Sequence, residues 1–440
     1  MDREPAETFL RLLAEAELRH AAAMSAARMP GRRHPAGLAL AAQALTAVGA
    51  VDSGVAMEIQ ADSGLAVAAR QTPTRDTGPG RIRSAPKRTS WRIVPVGQVI
   101  KTPDSGLHGE LILMAYAQSA GGGRFLVADW PSGPFTATAA DDRGASYQVR
   151  WRGEMAPREL ELHPGPAHQI RWLDLTAAAG ETAIRIDLTR QPPVPDITVT
   201  PQAHSPGELL LDVIAARILT AAALLAQDNP GRPAAASTLP RALSDGLGHV
   251  VAALYAADAL PPGSPVPGQL AGLCATLGIT GHGITAPPAA GLPRHWHSML
   301  APGRPAQTLA APRIWAMTAA ELPGLDGATI AIAGLHHGER GTIMHLLATG
   351  VTLEDDWPYA RGVRPLPVLW IRDNDSHWHT TRLDGLSPWG DHGTNPWTDT
   401  RMVTLWLRIV PPLDPGTAWI EISATGRSAH ARTTLALSPQ

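Results

Sequence analysis

Cysteine is almost absent from this sequence, since its 440 residues include only Cys274. A single thiol excludes an internal disulfide and every metal motif that needs several cysteines. Cys274 stands among Leu270, Leu273 and Leu277, a spacing that predicts a buried thiol on a helix. We therefore do not expect Cys274 to act as a nucleophile.

Long apolar runs and a strong excess of one charge are also missing. The nearest approach to a membrane span, 209–226, contains Asp212 and Arg217 and is shorter than the ~20 apolar residues such a helix needs. The N-terminal residues lack the apolar core of a signal peptide. A net charge of −2 argues against a globally basic surface for nucleic acid. These features predict a soluble, cytoplasmic protein without a membrane segment.

Common catalytic signatures are absent as well. The sequence contains no GxSxG elbow, no phosphate loop ending in Gly-Lys-Ser or Gly-Lys-Thr, and no GxGxxG after a predicted strand. The sequence therefore lacks the motifs typical of serine hydrolases, nucleoside triphosphatases and dinucleotide-binding proteins. This pattern indicates a non-enzymatic protein.

An internal repeat is the most informative feature that is present. Residues 160–175 match residues 407–422 without a gap at an offset of 247. Both stretches alternate apolar and polar residues, break at prolines and resume around a tryptophan, which predicts two half-buried strands joined by a turn. We interpret the matched Trp172 and Trp419 as core residues of a duplicated scaffold.

The repeat extends towards the N-terminal side at a second offset. At an offset of 219, Leu111 matches Ile330 and Trp151 matches Trp370. The two offsets differ by 28 residues. The second copy is therefore interpreted as carrying a 28-residue insertion between Trp370 and Met402.

The periodicity divides the chain into helical and β regions. Short runs with a period of two, separated by Gly, Pro and Asp, are typical of a β-sandwich, and Ser205 to Glu208 form a capping box that predicts a helix start. The predicted order is helices in 1–70, a basic linker in 71–90, a β-domain in 91–190, a Pro-rich connector in 191–204, helices in 205–280, a Pro/Gly-rich linker in 281–311 and a β-domain in 312–438. The fold class is α+β multidomain, with two tandem immunoglobulin-like antiparallel β-sandwich domains, each preceded by a small α-helical block.

The segment 373–400, inside the predicted insertion, has the most unusual composition. His377 and His379 are expected on one face of a strand, and Asp391 and His392 follow shortly after. Imidazole and carboxylate groups are ligands that zinc and similar divalent ions prefer. These four residues form the predicted divalent-metal site, although a hairpin with polar outer residues gives the same spacing.

Five aromatic residues form the predicted binding surface. They are Trp378, Trp389 and Trp397 in the same segment, together with His336 and His337 at a predicted turn between two strands. Exposed tryptophan favours a binding surface, because its large amphipathic ring is common in protein interfaces. In the alternative interpretation the tryptophans cover a hairpin and the two histidines belong to an exposed polar turn.

Three functions follow from these observations. The leading hypothesis is a non-enzymatic interaction or scaffold protein, without a cofactor, whose partner is another protein. The first alternative is a metal-dependent hydrolase, in which the ion at His377 and His379 polarises water. The second is a nucleic-acid-binding regulator that uses the N-terminal helices and Arg81, Arg83 and Arg88 of the basic linker.

Overall fold

The fold is taken from a computed structural model of the chain, which divides into two compact units. One unit contains residues 1–83, 201–305 and 353–368, and the other contains 84–200, 306–352 and 369–440. The structure describes residues 5–15, 36–62, 92–102, 109–119, 122–127, 136–151, 159–166, 169–177, 184–189, 196–228, 246–300, 313–316, 320–325, 328–338, 341–349, 368–388, 403–426 and 429–437.

Helices account for the regular structure of the first unit. Those in the described residues are 5–15 (α1), Ala36–Ala47 (α2), Ser53–Asp62 (α3), Pro206–Asp228 (α4), Leu247–Ala256 (α5), Val266–Thr276 (α6) and Arg294–Leu300 (α7). Cys274 lies buried on α6, as predicted, and burial raises the pKa of its thiol to about 12. The thiol therefore stays protonated and unreactive near neutral pH.

The capping box predicted at the start of α4 is confirmed. Glu208 accepts the backbone N–H of Ser205 at 2.9 Å, and the Ser205 hydroxyl accepts the backbone N–H of Glu208 at 3.2 Å. The hydroxyl of Ser264 donates a further hydrogen bond of 2.7 Å to Glu208. Burial opposes ionisation of Glu208, but these donors outweigh burial and hold the pKa of the carboxyl below its ordinary value.

A short helix replaces part of the predicted linker. Residues Arg294–Leu300 form α7, where Trp296 is only 1 % exposed. The Trp296 indole N–H donates a 2.9 Å hydrogen bond to Asp212 of α4, and His295 Nε2 lies 3.1 Å from the same carboxylate oxygen. Asp212 thus anchors α7 to α4.

Among the described helices, α4 is the one that is long and apolar enough to cross a membrane, over Pro206–Gln227. Half of its most apolar stretch is buried inside the structure. A core helix of a soluble protein has the same length and composition, so these two properties alone do not identify a membrane span.

Antiparallel strands make up the second unit. Those of the first β-domain are Arg92–Thr102 (β1), Gly109–Ser119 (β2), Gly122–Val127 (β3), Thr136–Asp141 (β4), Ser146–Trp151 (β5), Glu159–His163 (β6), Trp172–Ala177 (β7) and Ile184–Asp187 (β8). The rest are Ile197–Pro201 (β9), Arg313–Ala316 (β10), Ala320–Leu325 (β11), Ala328–Gly338 (β12), Gly341–Thr349 (β13), Val368–Asp373 (β14), Trp378–Pro388 (β15), Val403–Val410 (β16), Trp419–Thr425 (β17) and Ala429–Ala436 (β18).

The strands form two sheets with matching order. The first has eight strands in the order β1-β2-β3-β6-β5-β4-β7-β8. The second has ten, in the order β10-β12-β13-β16-β15-β14-β17-β18-β9, with β11 also paired to β12. The expectation of antiparallel β-structure accompanied by helical regions is therefore confirmed.

Strand pairing shows which residues of the two copies correspond. The β2–β3 and β12–β13 hairpins share an offset of 219, including a bulge between Leu113 and Ala115 that recurs between Ile332 and Gly334. The β4–β5 and β14–β15 hairpins share an offset of 232, since Ala139 faces Tyr147 as Ile371 faces His379. The offset of 247 holds for β6 and β16.

The prediction of a single insertion between Trp370 and Met402 is therefore wrong. The intermediate offset of 232 places 13 additional residues before Val368 and 15 between β15 and β16. Trp151 consequently corresponds to Leu383 and not to Trp370. An ungapped match had aligned two different strands, because strands with the same alternation resemble each other in sequence.

Trp172 and Trp419 also lie outside the cores to which the repeat assigned them. Both are only partly buried, because the inward positions of β7 belong to Leu173 and Leu175. The Arg185 guanidinium stacks on the Trp172 ring, 4.0 Å from its centroid. The tryptophans therefore occupy the outer face of each sheet, where stacking on arginine covers part of the ring.

The two β-domains pack on each other through small side chains. One buried cluster contains Ala115, Ala117 and Leu126 of the first copy together with Ala331 and Leu347 of the second. These residues lie on the face opposite the inner core of the first domain, which contains Leu111, Leu113, Tyr116 and Phe125. Strands β2 and β12 are consequently buried on both faces, and short alanine side chains permit close approach.

Replacing Glu208 by Gln tests the α4 cap through its pH dependence. Because the folded-state pKa lies below the unfolded value of about 4.3, the charge stabilises the fold above that pH and this contribution is lost as the pH falls through the folded pKa. We expect Glu208→Gln to be less stable than the parent at pH 7 and to approach it in acid. Urea unfolding from pH 7 to pH 3 measures this, with the exposed Glu58→Gln as control. A difference that is independent of pH contradicts the assignment.

Candidate functional site

The turn between β14 and β15 brings a carboxylate and two imidazoles together. Asp373, which is 2 % exposed, ends β14 and accepts the backbone N–H groups of Asp375 at 2.9 Å and His377 at 2.8 Å with Oδ1. Its other oxygen, Oδ2, lies 3.3 Å from Nδ1 of His377 and 3.5 Å from Nε2 of His379. Both imidazoles approach the same carboxylate oxygen, the His377 ring from an exposed position and the His379 ring from a buried one.

The hydrogen bonding of His379 determines which of its nitrogens carries a proton. Nδ1 lies 2.7 Å from the carbonyl oxygen of Pro411, and a carbonyl oxygen can only accept a hydrogen bond. Nδ1 is therefore the donor. The Nε2 atom is buried, has no hydrogen-bond partner among the described residues, and faces Asp373 Oδ2 at a distance beyond the usual N–H···O range.

The same turn occurs in the first copy with a different chemistry. Asp141 accepts the backbone N–H groups of Arg143 and Ala145, both at 2.9 Å, and the Tyr147 hydroxyl donates to its second oxygen at 2.7 Å. At the offset of 232, Ala145 corresponds to His377 and Tyr147 to His379. The fold supplies the aspartate in both copies, and only the second copy adds nitrogen ligands around it.

The backbone of this turn requires an unusual conformation in both copies. Gly144 has φ of 79°, and its counterpart Ser376 has φ of 65°. A non-glycine residue rarely adopts this left-handed region. The turn keeps its shape at Ser376 because Asp373 and the backbone bonds around it hold the loop closed.

Charge balance keeps Asp373 ionised. Burial opposes its ionisation, but the His379 imidazole, the backbone N–H of His377 and the nearby imidazole charges outweigh burial and hold the pKa of the carboxyl below its ordinary value. Among the described residues, Asp373, Asp375 and His377 form the one group of three whose ligand atoms all lie within 4.8 Å of one another. Asp375 and His377 are exposed, so the group is open to solvent on one side.

The other predicted residues of this segment are separated from the turn or lie outside the described residues. Asp391, His392, Trp389 and Trp397 belong to the latter group, as does the basic linker 71–90. Trp378 points away from the histidines and packs edge to face on Trp370, with ring centroids 6.5 Å apart. Of the four-residue metal site predicted from the sequence, only His377 and His379 lie in the described residues, and Asp373 is a candidate ligand that the sequence did not indicate.

His336 and His337 were expected on an exposed surface, and the structure buries both. Their exposed fractions are 6 % and 2 %, and both belong to strand β12. His336 Nδ1 lies 3.1 Å from His345 Nε2 on the adjacent strand, while His337 Nδ1 lies 2.9 Å from the Thr342 hydroxyl. They are core polar groups paired across a hairpin, and not a binding surface.

A groove on the first β-domain has no counterpart among the sequence predictions. It has a volume of about 720 Å³ and opens on the outer side of β4, β5 and β7. Its polar wall consists of Thr138, Ser146, Gln148, His163, Asp174 and Thr176. Strand alternation does predict that these positions face outwards, but it does not reveal that their side chains leave a concave surface between them.

Asp174, the one carboxylate among the described residues of the groove wall, is bound by an arginine. Arg185 donates hydrogen bonds of 2.8 and 2.7 Å to the two oxygens of Asp174. This guanidinium holds the pKa of the Asp174 carboxyl below its ordinary value, so the group is ionised near neutral pH. Asp174 is therefore not available as a general acid, and the groove offers hydrogen-bonding groups for binding.

The comparisons with known proteins give no identification. No protein-family model, curated protein or solved structure matches this chain. Function therefore has to be inferred from the chemistry of these two sites.

Replacing Tyr147 by Phe tests whether the aspartate turn stabilises the first domain. The change removes one hydrogen bond to the buried Asp141 carboxylate, and hydrogen bonds to charged groups contribute roughly 1.5–3 kcal/mol. We expect the free energy of unfolding to fall by about that amount in chemical denaturation. The control is Tyr255→Phe at an exposed helical position, where the expected change is within about 0.5 kcal/mol. Equal effects of the two substitutions contradict a stabilising role for the turn.

Proposed function

We propose that this protein is a non-enzymatic binding module, in which two immunoglobulin-like β-sandwiches present a recognition face to another protein. The strand order supports the sandwich assignment. In the first domain β2-β3-β6-β5 are neighbours and β4-β7-β8 are neighbours, which is the strand order of the two sheets in an immunoglobulin constant-type domain, and pairing of β4 with β5 joins the two halves into one continuous sheet. The second domain repeats this order with β12-β13-β16-β15 and β14-β17-β18.

The observation that carries the binding function is the groove on the first domain. Its wall contains exposed Thr138, Ser146 and Gln148, whose uncharged polar groups donate and accept hydrogen bonds. The contact between the two domains is made by small residues on the β2–β3 side. The groove side, formed by β4, β5 and β7, does not take part in this contact. A concave surface with a few convergent polar groups is the usual form of a recognition site.

Affinity capture from a lysate of the native host tests the proposal. Thr176→Arg places a long charged side chain in the groove wall, and Thr434→Arg makes the same change at an exposed position of β18. We expect the parent chain and Thr434→Arg to retain at least one common protein that Thr176→Arg recovers at least tenfold less, measured by quantitative mass spectrometry. If no captured protein distinguishes the two variants, the proposed function is wrong. Circular dichroism verifies that both variants are folded.

Divalent-cation binding is a second candidate function, favoured by the buried Nε2 atom of His379. Two ligand atoms of a tetrahedral zinc ion, each about 2.0–2.1 Å from the metal, lie about 3.4 Å apart. The distances from Asp373 Oδ2 to His377 Nδ1 and His379 Nε2 are 3.3 and 3.5 Å. Metal-bound histidines usually donate their other N–H to a carbonyl or carboxylate, as His379 does to Pro411.

Hydrolysis is the activity that such an ion would support. The half-exposed His377 would leave a bound cation within reach of solvent, and such an ion would supply a nucleophile by lowering the pKa of a bound water. The residues that would hold the ion are Asp373, Asp375 and His377, whose ligand atoms lie within 4.8 Å of one another, and His379 Nε2 lies 3.5 Å from Asp373 Oδ2 as a further candidate ligand. The carbonyl oxygen of Pro411 accepts the N–H of His379 Nδ1, which leaves Nε2 as the nitrogen that would face an ion.

The first copy supplies a matched variant for the cation hypothesis. His377→Ala with His379→Tyr recreates the Asp141 turn, so the loop keeps a known arrangement while both nitrogen ligands are removed. Titration calorimetry with Zn²⁺ and visible absorption with Co²⁺ measure binding. We expect one ion per chain in the parent and in the exposed control His249→Ala, and at least tenfold weaker binding in the double variant. Unchanged binding in the double variant excludes this site.

A further inference from the structure

The groove of the first domain lies where the second domain carries two indole rings. At the offset of 232 that β4–β5 and β14–β15 share, Thr138 corresponds to Trp370 and Ser146 to Trp378. Thr138 and Ser146 are exposed and line the groove. Trp370 and Trp378 pack on each other at 6.5 Å, and Trp370 is only 4 % exposed. The same two sheet positions are therefore filled in one copy and open in the other.

The acid–arginine pair beside these positions is shared by the two copies. The neighbouring strand carries Asp174 in the first copy and Glu421 in the second, and each acid is bound by arginine. Ala140, also in the groove wall, corresponds to Arg372, so a third large side chain is replaced by a small one. The groove arises because the first copy has small residues at positions where the second copy has large ones.

We infer that the groove binds a tryptophan side chain presented by the partner protein, an inference that rests on the binding function proposed above. The second domain demonstrates that this sheet face accommodates indole rings beside an acid–arginine pair. Tryptophan is enriched among the residues that contribute most to protein interfaces, since its large ring buries much apolar area and its N–H usually finds an acceptor. Gln148, Thr138 and Ser146 supply acceptors in the groove wall.

Binding of N-acetyl-tryptophanamide to the full chain tests this inference. Saturation-transfer NMR should show contact through the indole protons, with a dissociation constant on the order of 1 mM for so small a ligand. The double variant Thr138→Trp with Ser146→Trp carries the two tryptophans that the second copy has at these positions, and their rings should fill the groove. We expect it to bind the probe at least tenfold more weakly, whereas Thr434→Trp, at an exposed position of β18, should bind like the parent.

Further arms separate the outcomes. N-acetyl-leucinamide should bind at least tenfold more weakly than the tryptophan amide. The variant Thr176→Arg should also bind the tryptophan amide more weakly, because its arginine side chain occupies the groove wall. Absence of probe binding, equal binding of the leucine probe, or undiminished binding in both groove variants overturns the inference. If the probe does not bind while Thr176→Arg still abolishes capture of a host protein, the binding module stands and only the tryptophan assignment fails.

Discussion

The contact between the two β-domains constrains the rest of the second unit. Ala115, Ala117 and Ala331 are small enough to let one sheet approach the other, and leucines close the cluster around them. A strand buried on both faces has no freedom to slip by one residue, because a slip would move core side chains to the opposite face. The contact fixes the register of β2 and β12, and through the shared hairpins it fixes which faces of the domains are left for recognition.

Duplication let the two copies diverge on a fixed framework. The carboxylate at the β4–β5 turn is satisfied in the first copy by Tyr147, whose hydroxyl reaches Asp141 directly. In the second copy His379 stands at this position, stops 3.5 Å from Asp373 and donates instead to Pro411. On the outer face of the sheet it is the first copy that has the open site. Thr138 and Ser146 leave a groove there, whereas Trp370 and Trp378 fill the same positions in the second copy. Each copy has thus gained a candidate site where the other has a closed, structural arrangement.

The sequence predicted the candidate sites only in part. His377 and His379 were identified because alternating histidines are conspicuous, but Asp373 was not, because an aspartate at a turn is common and its role depends on what lies across the hairpin. The ungapped match of Trp151 to Trp370 assigned the histidines to an insertion. That error concealed their correspondence with Ala145 and Tyr147, which is the comparison that gives them chemical meaning. His336 and His337 were placed on the surface because the sequence predicts a turn between two strands there, yet cross-strand pairing and sheet packing bury both.

The sequence alone determined those features that obey local rules. Alternation located the strands, the Ser205–Glu208 spacing located the start of α4, and the leucines around Cys274 identified a buried thiol. Tertiary structure alone decided which strand face is inward, where the additional residues of the second copy lie, and which polar groups meet. The physical reason is that a period of two leaves both faces of a strand equivalent until distant segments cover one of them. Trp172 shows this directly, since it lies on the outer face, where Arg185 stacks on its ring.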